Sequence, residues 1–86
     1  MIAPGRYRHY RGGVYCVLFI AGTHNHNGDI DVIYVSCTHG KPVTRPLKRD
    51  SRNEDSWLDT VTWPDEQMRH RFVPDEPELA ALFEGP

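Results

Sequence analysis

Five histidines and two cysteines are the first residues of this 86-residue chain that could do chemistry. His24-x-His26 and Cys37-x-His39 have the side-chain types and close spacing of zinc ligands. Cys16 and Cys37 could pair with each other, and a thiol beside an imidazole could act as a nucleophile. The densest run is Arg6-Tyr7-Arg8-His9-Tyr10-Arg11. Arginines interleaved with aromatic rings grip phosphates and stack on planar groups. No glycine-rich phosphate loop, paired metal carboxylates or nucleotide fingerprint accompanies them.

The elements that must position these groups read as strands. Gly5–Arg11 alternates, so Tyr7 and His9 share one face and Arg6 and Arg8 the other. Gly12-Gly13 is a hairpin turn signal. Val14–Thr23 is the strongest strand, Asn27-Gly28 suits a two-residue type I′ turn, and Ile30–Thr38 returns. Val43–Leu47 is a shorter strand, with Pro46 marking an edge or an end. Lys48–Ser56 is polar and predicts a surface loop. Trp57–Trp63 is a strand or turn segment, and Pro64–Gln67 is a turn. Met68–Val73 is a short strand with Met68 and Phe72 inward and His70 as a third candidate. Asp75 and Glu78 have capping-box spacing. Leu79, Leu82 and Phe83 then fall on one face of a short helix that Gly85 can stop. A helix this short needs a docking surface, and the aromatic sheet face could supply it.

A two-residue loop at Asn27-Gly28 sets a register. Leu18 then faces Cys37, Ile20 faces Val35, Gly22 faces Ile33 and Cys16 faces His39. Val14, Cys16, Leu18, Ile20, Ile33, Val35 and Cys37 form an aliphatic core stripe. Tyr15, Val17, Phe19, Ala21, Val32, Tyr34 and Ser36 form a second, aromatic face. A hairpin apolar on both faces must be covered twice, as in a curled sheet or small barrel. In this register His24 and Cys37 lie about 20 Å apart, too far for one tetrahedral ion. Cys16 and Cys37 are diagonal neighbours about 7 Å apart, just beyond the usual disulfide span of about 6.8 Å. The expectation is therefore buried free thiols, no metal, no cofactor and no catalytic residue.

At 9.9 kDa and 38% hydrophobic residues, the chain has room for one domain with a thin core. The longest apolar run, Val14–Ala21, falls short of the roughly 18–20 residues of a membrane span. Met1–Gly5 lacks the basic and apolar stretches of a secretory signal, so a soluble, cytoplasmic domain is expected. A net charge of -2 lacks the bias of a dedicated nucleic-acid binder. That average hides a split. Residues 1–52 hold eight basic residues against three aspartates, a surplus of five positive charges. Residues 53–86 hold two arginines against nine acids, a surplus of seven negative charges. The halves either neutralise each other or turn a basic first half toward an anion.

Gly5, Tyr7-Arg8-His9-Tyr10, Gly12-Gly13, Tyr15, Val17-Leu18, Ile20-Ala21, His24, Val32, Tyr34 and Arg45-Pro46-Leu47 together resemble a small bacterial and phage family, domain of unknown function 1653. Trp57 to Val61 and Arg71-Phe72 extend the resemblance, which covers about residues 4–73. It implies a compact, mainly β, SH3-like barrel, with no established activity to carry over. A phage-type origin would imply a modulator of a host factor. Val35 departs from the family pattern, where an Arg follows the Tyr. Lys48–Ser56 resembles an insertion, and Asp75–Gly85 an extension.

The chain thus reads as a mainly β single domain over 1–86, a small SH3-like curled sheet or barrel with a short C-terminal helix. The β core spans 5–73 and the acidic helix 75–85. Its expected role is noncatalytic binding, through an aromatic groove with a basic rim formed by Arg6, Tyr7, Arg8, His9, Tyr10, Tyr15, Tyr34 and Arg45. The partner would be a protein or a small anionic ligand. A phosphate-contacting nucleic-acid module is the alternative. A homodimer through an edge strand or the aromatic face stays open.

Overall fold

The computed structural model describes residues 2–23 and 27–84. Its strands are β1 (Gly5–His9), β2 (Val14–Gly22), β3 (Ile30–Ser36), β4 (Val43–Pro46), β5 (Thr60–Thr62), β6 (Met68–His70) and β7 (Phe72–Pro74). A one-turn helix α1 (Pro77–Ala80) and a 3-10 turn (Ala81–Phe83) follow. Five strands form an antiparallel sheet in the order β4-β3-β2-β1-β7, and β5 pairs with β6 as a ribbon. The fold is mainly β with a short C-terminal helix. The sheet stays open instead of closing into a barrel.

The β1–β2 hairpin turns where Gly12-Gly13 signals it. Gly12 takes φ +107°, and a Cβ there would lie 3.0 Å from the Phe83 ring. Conformation and close approach both therefore require glycine.

The β2–β3 register differs from the one the two-residue turn predicts. The Thr23 amide donates to the Asp29 carbonyl, closing a wider loop. Gly22 pairs with Ile30, Ile20 with Val32 and Phe19 with Ile33. Leu18 is then an extra residue, a bulge, beyond which Val17 pairs with Tyr34 and Cys16 with Val35. The expected partners of Ile20 (Val35), Gly22 (Ile33) and Cys16 (His39) are all displaced. His24 and His26, of the zinc-type spacing, lie outside the described residues. The cause is the pattern itself: a hairpin apolar on both faces gives the hydrophobic effect no preferred register.

The bulge also reassigns the faces. Tyr7, Tyr15, Val17, Val32 and Tyr34 point to the covered side, and Ile20 joins them beyond Leu18. Val14, Cys16, Phe19, Ile33 and Val35 occupy the other side. Most of the aliphatic stripe expected as core thus lies on the open face, with Leu18 41% exposed. Phe19, expected on the aromatic face, joins it at 57% exposed, while Ile20 has crossed to the covered side. The core is instead Tyr7, Val17, Val32, Tyr34, Leu47, Trp57 and Phe72.

Trp57 closes that core. Its indole stacks on Phe72 at 3.8 Å and meets Tyr7 and Tyr34 edge-on at 5.4 and 5.1 Å. Backbone bonds from Trp57 to Pro46 and from Leu58 to Leu47 hold the segment beside the end of β4. An aromatic side chain buries about 150–250 Å², worth about 4–6 kcal/mol at 25 cal/mol per Å². Among the described residues the Trp57 indole N–H has no acceptor, a cost of about 1–3 kcal/mol that this burial exceeds.

The expected strand Met68–Val73 is split at Arg71, so β6 and β7 serve different sheets. Phe72 is buried, whereas Met68 is 59% exposed and His70 is exposed as well. At the C-terminal end, Glu76 is the N-cap residue and makes no side-chain cap. Asp75, expected as the cap, binds Arg8 at 2.9 Å instead. The helix does not cover the aromatic face. Phe83 packs against Trp63 (6.2 Å between ring centroids), the Arg8 guanidinium (5.9 Å) and Gly12. Among the described residues no helix is long and apolar enough to cross a membrane.

Candidate functional site

Alternation in β1 divides the Arg-Tyr-Arg-His-Tyr-Arg run between two faces. Arg6 and Arg8 stand on the open side, opposite Cys16 and Val14. Arg6 is exposed. Arg8 is held by Asp75 and by the Gly12 carbonyl at 2.8 Å. On the covered side Tyr7 is buried and its hydroxyl donates to the Ala3 carbonyl. Tyr34 is also buried. Of the eight residues expected to bind a ligand, Tyr7 and Tyr34 are therefore core supports, and Arg6 and Arg8 lie away from the rest.

The other four come together around His9. Its ring lies 4.6 Å from Tyr10, 4.8 Å from Phe72 and 6.2 Å from Tyr15. Its Nδ1 accepts the Arg11 amide at 3.1 Å, which leaves the proton of the neutral ring on Nε2. Burial, then the positive charges of Arg45, Arg71 and Arg11, push its pKa down to about 4. His9 is thus an uncharged donor at neutral pH inside an arc of guanidinium groups.

Arg45 enters this arc from β4. It lies opposite Val32, on the covered side, donates from Nε to the Tyr34 hydroxyl at 3.2 Å and sits 5.6 Å from the Phe72 ring. Arg11 and Arg71 flank Tyr10, at 5.3 and 5.7 Å from its ring. Arg71 is committed to Asp59. Among the described residues neither Arg45 nor Arg11 has a carboxylate within ion-pair distance.

Beside this cluster opens a cleft of about 430 Å³, lined by Tyr15, Ser36, His39, Gly40, Lys41 and Val43. Val43 and Arg45 are two residues apart on β4 and share a face. Tyr15, whose ring contacts His9, Tyr34 and Phe72, is common to cleft and cluster. Sequence reasoning places His39 as a zinc-type ligand or opposite Cys16 and not in a cleft, and it singles out neither Lys41 nor Val43. Lys41 sits in a loop with no periodicity to place it, and the face Val43 takes depends on how β4 pairs with β3. Phe72 and Arg71 were adjacent in the sequence, but their roles depend on the strand break between them.

Ion pairing answers the charge question in part. All seven aspartates join ion pairs: Asp75 with Arg8, Asp55 and Asp59 with Arg49 and Arg71, Asp29, Asp31 and Asp50 with Arg52, Asp65 with Arg69. Among the described residues no glutamate does. The cations with no ion pair among the described residues (Arg6, Arg11, Lys41, Arg45, Lys48) all belong to the first half, and the five glutamates to the second. Short aspartates anchored in turns lose less rotamer entropy on pairing than glutamates. Asp59 is the strongest anchor. Partial burial opposes its ionisation, but bonds from the Ser56 hydroxyl and amide, Arg49 and Arg71 overcome that and hold its pKa well below the usual carboxylate range.

Comparison with family models, curated proteins and solved structures returns no match to this chain. What fold and site define is a small mainly β domain with a cleft that shares Tyr15 with an arginine-bearing aromatic cluster.

Proposed function

We propose that the protein is a noncatalytic binding domain that receives an anionic group, a carboxylate or phosphate on an otherwise apolar ligand or protein segment, in the Tyr15 cleft. The observation that carries this is Arg45. It lies over an aromatic shelf with no carboxylate among the described residues to neutralise it, next to His9 kept neutral by its surroundings. A guanidinium offers forked donors to such an anion, Lys41 and His39 supply the rim, and Tyr15 and Val43 supply the apolar floor. The reading treats the domain as cytoplasmic, acting as small SH3-like modules do, and keeps its kinship with domain of unknown function 1653 and a host factor as partner within the same proposal. It assigns no catalysis: Cys16 stands opposite Val35 and not His39. A nucleic-acid role draws less support, because Tyr7 and Tyr34 are buried and five of the arginines are held by aspartates.

Amide-resolved NMR titration with phenyl phosphate and benzoate tests the proposal. The expected result is saturable shifts at Tyr15, His39, Lys41 and Arg45, weakened at least about tenfold in Arg45→Met. Shifts scattered over the surface, or unchanged in Arg45→Met, overturn it. Salt-dependent binding of a labelled oligonucleotide, lost in Arg6→Ala/Arg8→Ala, would put the nucleic-acid reading in its place.

A further inference from the structure

On the open face of the sheet, away from the Tyr15 cleft, two sulfurs meet. The Sγ atoms of Cys16 and Cys37 lie 2.9 Å apart. Cys16 is half-buried in the middle of β2, and Cys37 is exposed just beyond β3. The Cys37 amide donates to the Val14 carbonyl at 3.0 Å, so its backbone stays in register with β2 past the strand end. Cys16 itself faces Val35, which leaves the two cysteines diagonal, as the sequence suggests. The estimate of about 7 Å for a diagonal ignores sheet twist, which brings one diagonal closer than the other. Both thiols also lie on the face expected to be core, and that face is open, so the expectation of buried, inert thiols is corrected.

We propose that Cys16 and Cys37 form an oxidisable dithiol that closes reversibly into an intramolecular disulfide, stapling β2 to the end of β3. Three observations converge on it. The sulfurs need to approach by only about 1 Å to reach the bonded distance of about 2.05 Å. Cys37 is open to a reagent from solvent. The exposed Arg6, opposite Cys16 on β1, places a positive charge beside the pair. Hydrogen bonding of its S–H to the Cys16 sulfur, together with burial, pushes the Cys37 thiol up, while Arg6 pulls the other way. At 2.9 Å the two sulfurs are unbonded, so closure needs an oxidant.

A low-molecular-weight disulfide such as oxidised glutathione suffices. The Cys37 thiolate attacks one sulfur of the oxidant and expels one thiolate, giving a mixed disulfide. The Cys16 thiolate then attacks the Cys37 sulfur and expels the second. Two protein thiols lose two electrons and two protons. The oxidant gains both pairs and leaves as two thiols. Nothing in this step depends on the cleft binding a ligand.

The test is equilibration of the wild-type protein across a series of reduced and oxidised glutathione ratios, with free thiols then alkylated and peptides mapped by mass spectrometry. Expected is a Cys16–Cys37 cross-link that appears at oxidising ratios, reverses with dithiothreitol and raises Tm by several degrees. Cys37→Ser should then leave Cys16 with a stable glutathione adduct or a free thiol, and no rise in Tm. Two alkylated thiols at every ratio, or only intermolecular or glutathione adducts in the wild type, overturn the proposal. The wild-type arms decide it even if the variant does not fold.

Discussion

On one face of the five-stranded sheet, Tyr7, Tyr15, Val17, Val32, Tyr34 and the edge-strand Phe72 form the core that Trp57 closes. On the other, Val14, Phe19, Ile33 and Val35 look outward, joined by the two thiols. By apolar content the faces are close rivals, and the second reads as the more ordinary core. What separates them is the cover. The Trp57 segment brings a flat indole that stacks on Phe72 of the edge strand β7 and meets the tyrosines edge-on. A face of aromatic rings gains from such a lid both buried area and ring geometry. The aliphatic face receives no comparable element among the described residues. Hydrophobicity nominates a face for the core, and the element able to lie on it elects one.

That contrast can be broken first at its lid. Trp57→Ala should cost about 3–5 kcal/mol of stability, measured by urea denaturation followed by circular dichroism. A loss below 1 kcal/mol would mean that the aromatic face does not depend on its cover.

The arginine cluster on the covered side gives a smaller, pH-dependent effect. His9 has its pKa depressed to about 4 in the fold, against about 6.5 unfolded. The unfolded chain therefore binds the extra proton between these values. The His9 contribution is complete above about pH 6.5 and fades as pH falls to about 4. After allowance for the partial solvent exposure of the ring it amounts to at most about 2 kcal/mol. His9→Gln should flatten this limb of the stability profile. An unchanged profile would remove the ring from the electrostatics of the site.

A separate loss follows at lower pH. Asp59 and Asp50 sit below the usual carboxylate range and Asp65 is held near 2 by Arg69. Their stabilisation is full above the unfolded value of about 4 and is withdrawn as pH drops toward their folded values. Asp59→Asn should reduce the acid-side slope, whereas His9→Gln should leave it intact.

The smallest effect belongs to the open face. Phe19→Thr should change stability by no more than about 0.5 kcal/mol. A loss comparable to that of Trp57→Ala would show that something covers this face after all, and sedimentation velocity would tell whether a second copy does.

Much of the architecture is written locally. Alternation in Gly5–His9, the glycine pair at the first turn and the long β-branched and aromatic runs place β1, β2 and β3 within a residue or two of their ends. The partner of each residue is written less clearly. The Asn27-Gly28 pair suggests the tightest turn, yet the chain uses Gly28 at φ +73° within a wider loop, and Leu18 adds a bulge that no pattern of alternation announces. Of the site, His9, Tyr15 and Arg45 were legible because each lies in a strand of known phase. Lys41, His39 and the lid Trp57 were not, since their neighbours are set by irregular chain far away in sequence.

The two tryptophans give the molecule an optical property of its own. Trp57 and Trp63 are 0% and 1% exposed. Trp57 lies against Phe72 in the large sheet. Trp63 lies by Arg69 of the ribbon, with its indole bonded to the His70 carbonyl. Each sheet therefore carries one enclosed fluorophore. A collisional quencher dissolved in water reaches neither while its sheet is intact. Single-tryptophan emission thus distinguishes opening of the ribbon from opening of the main sheet.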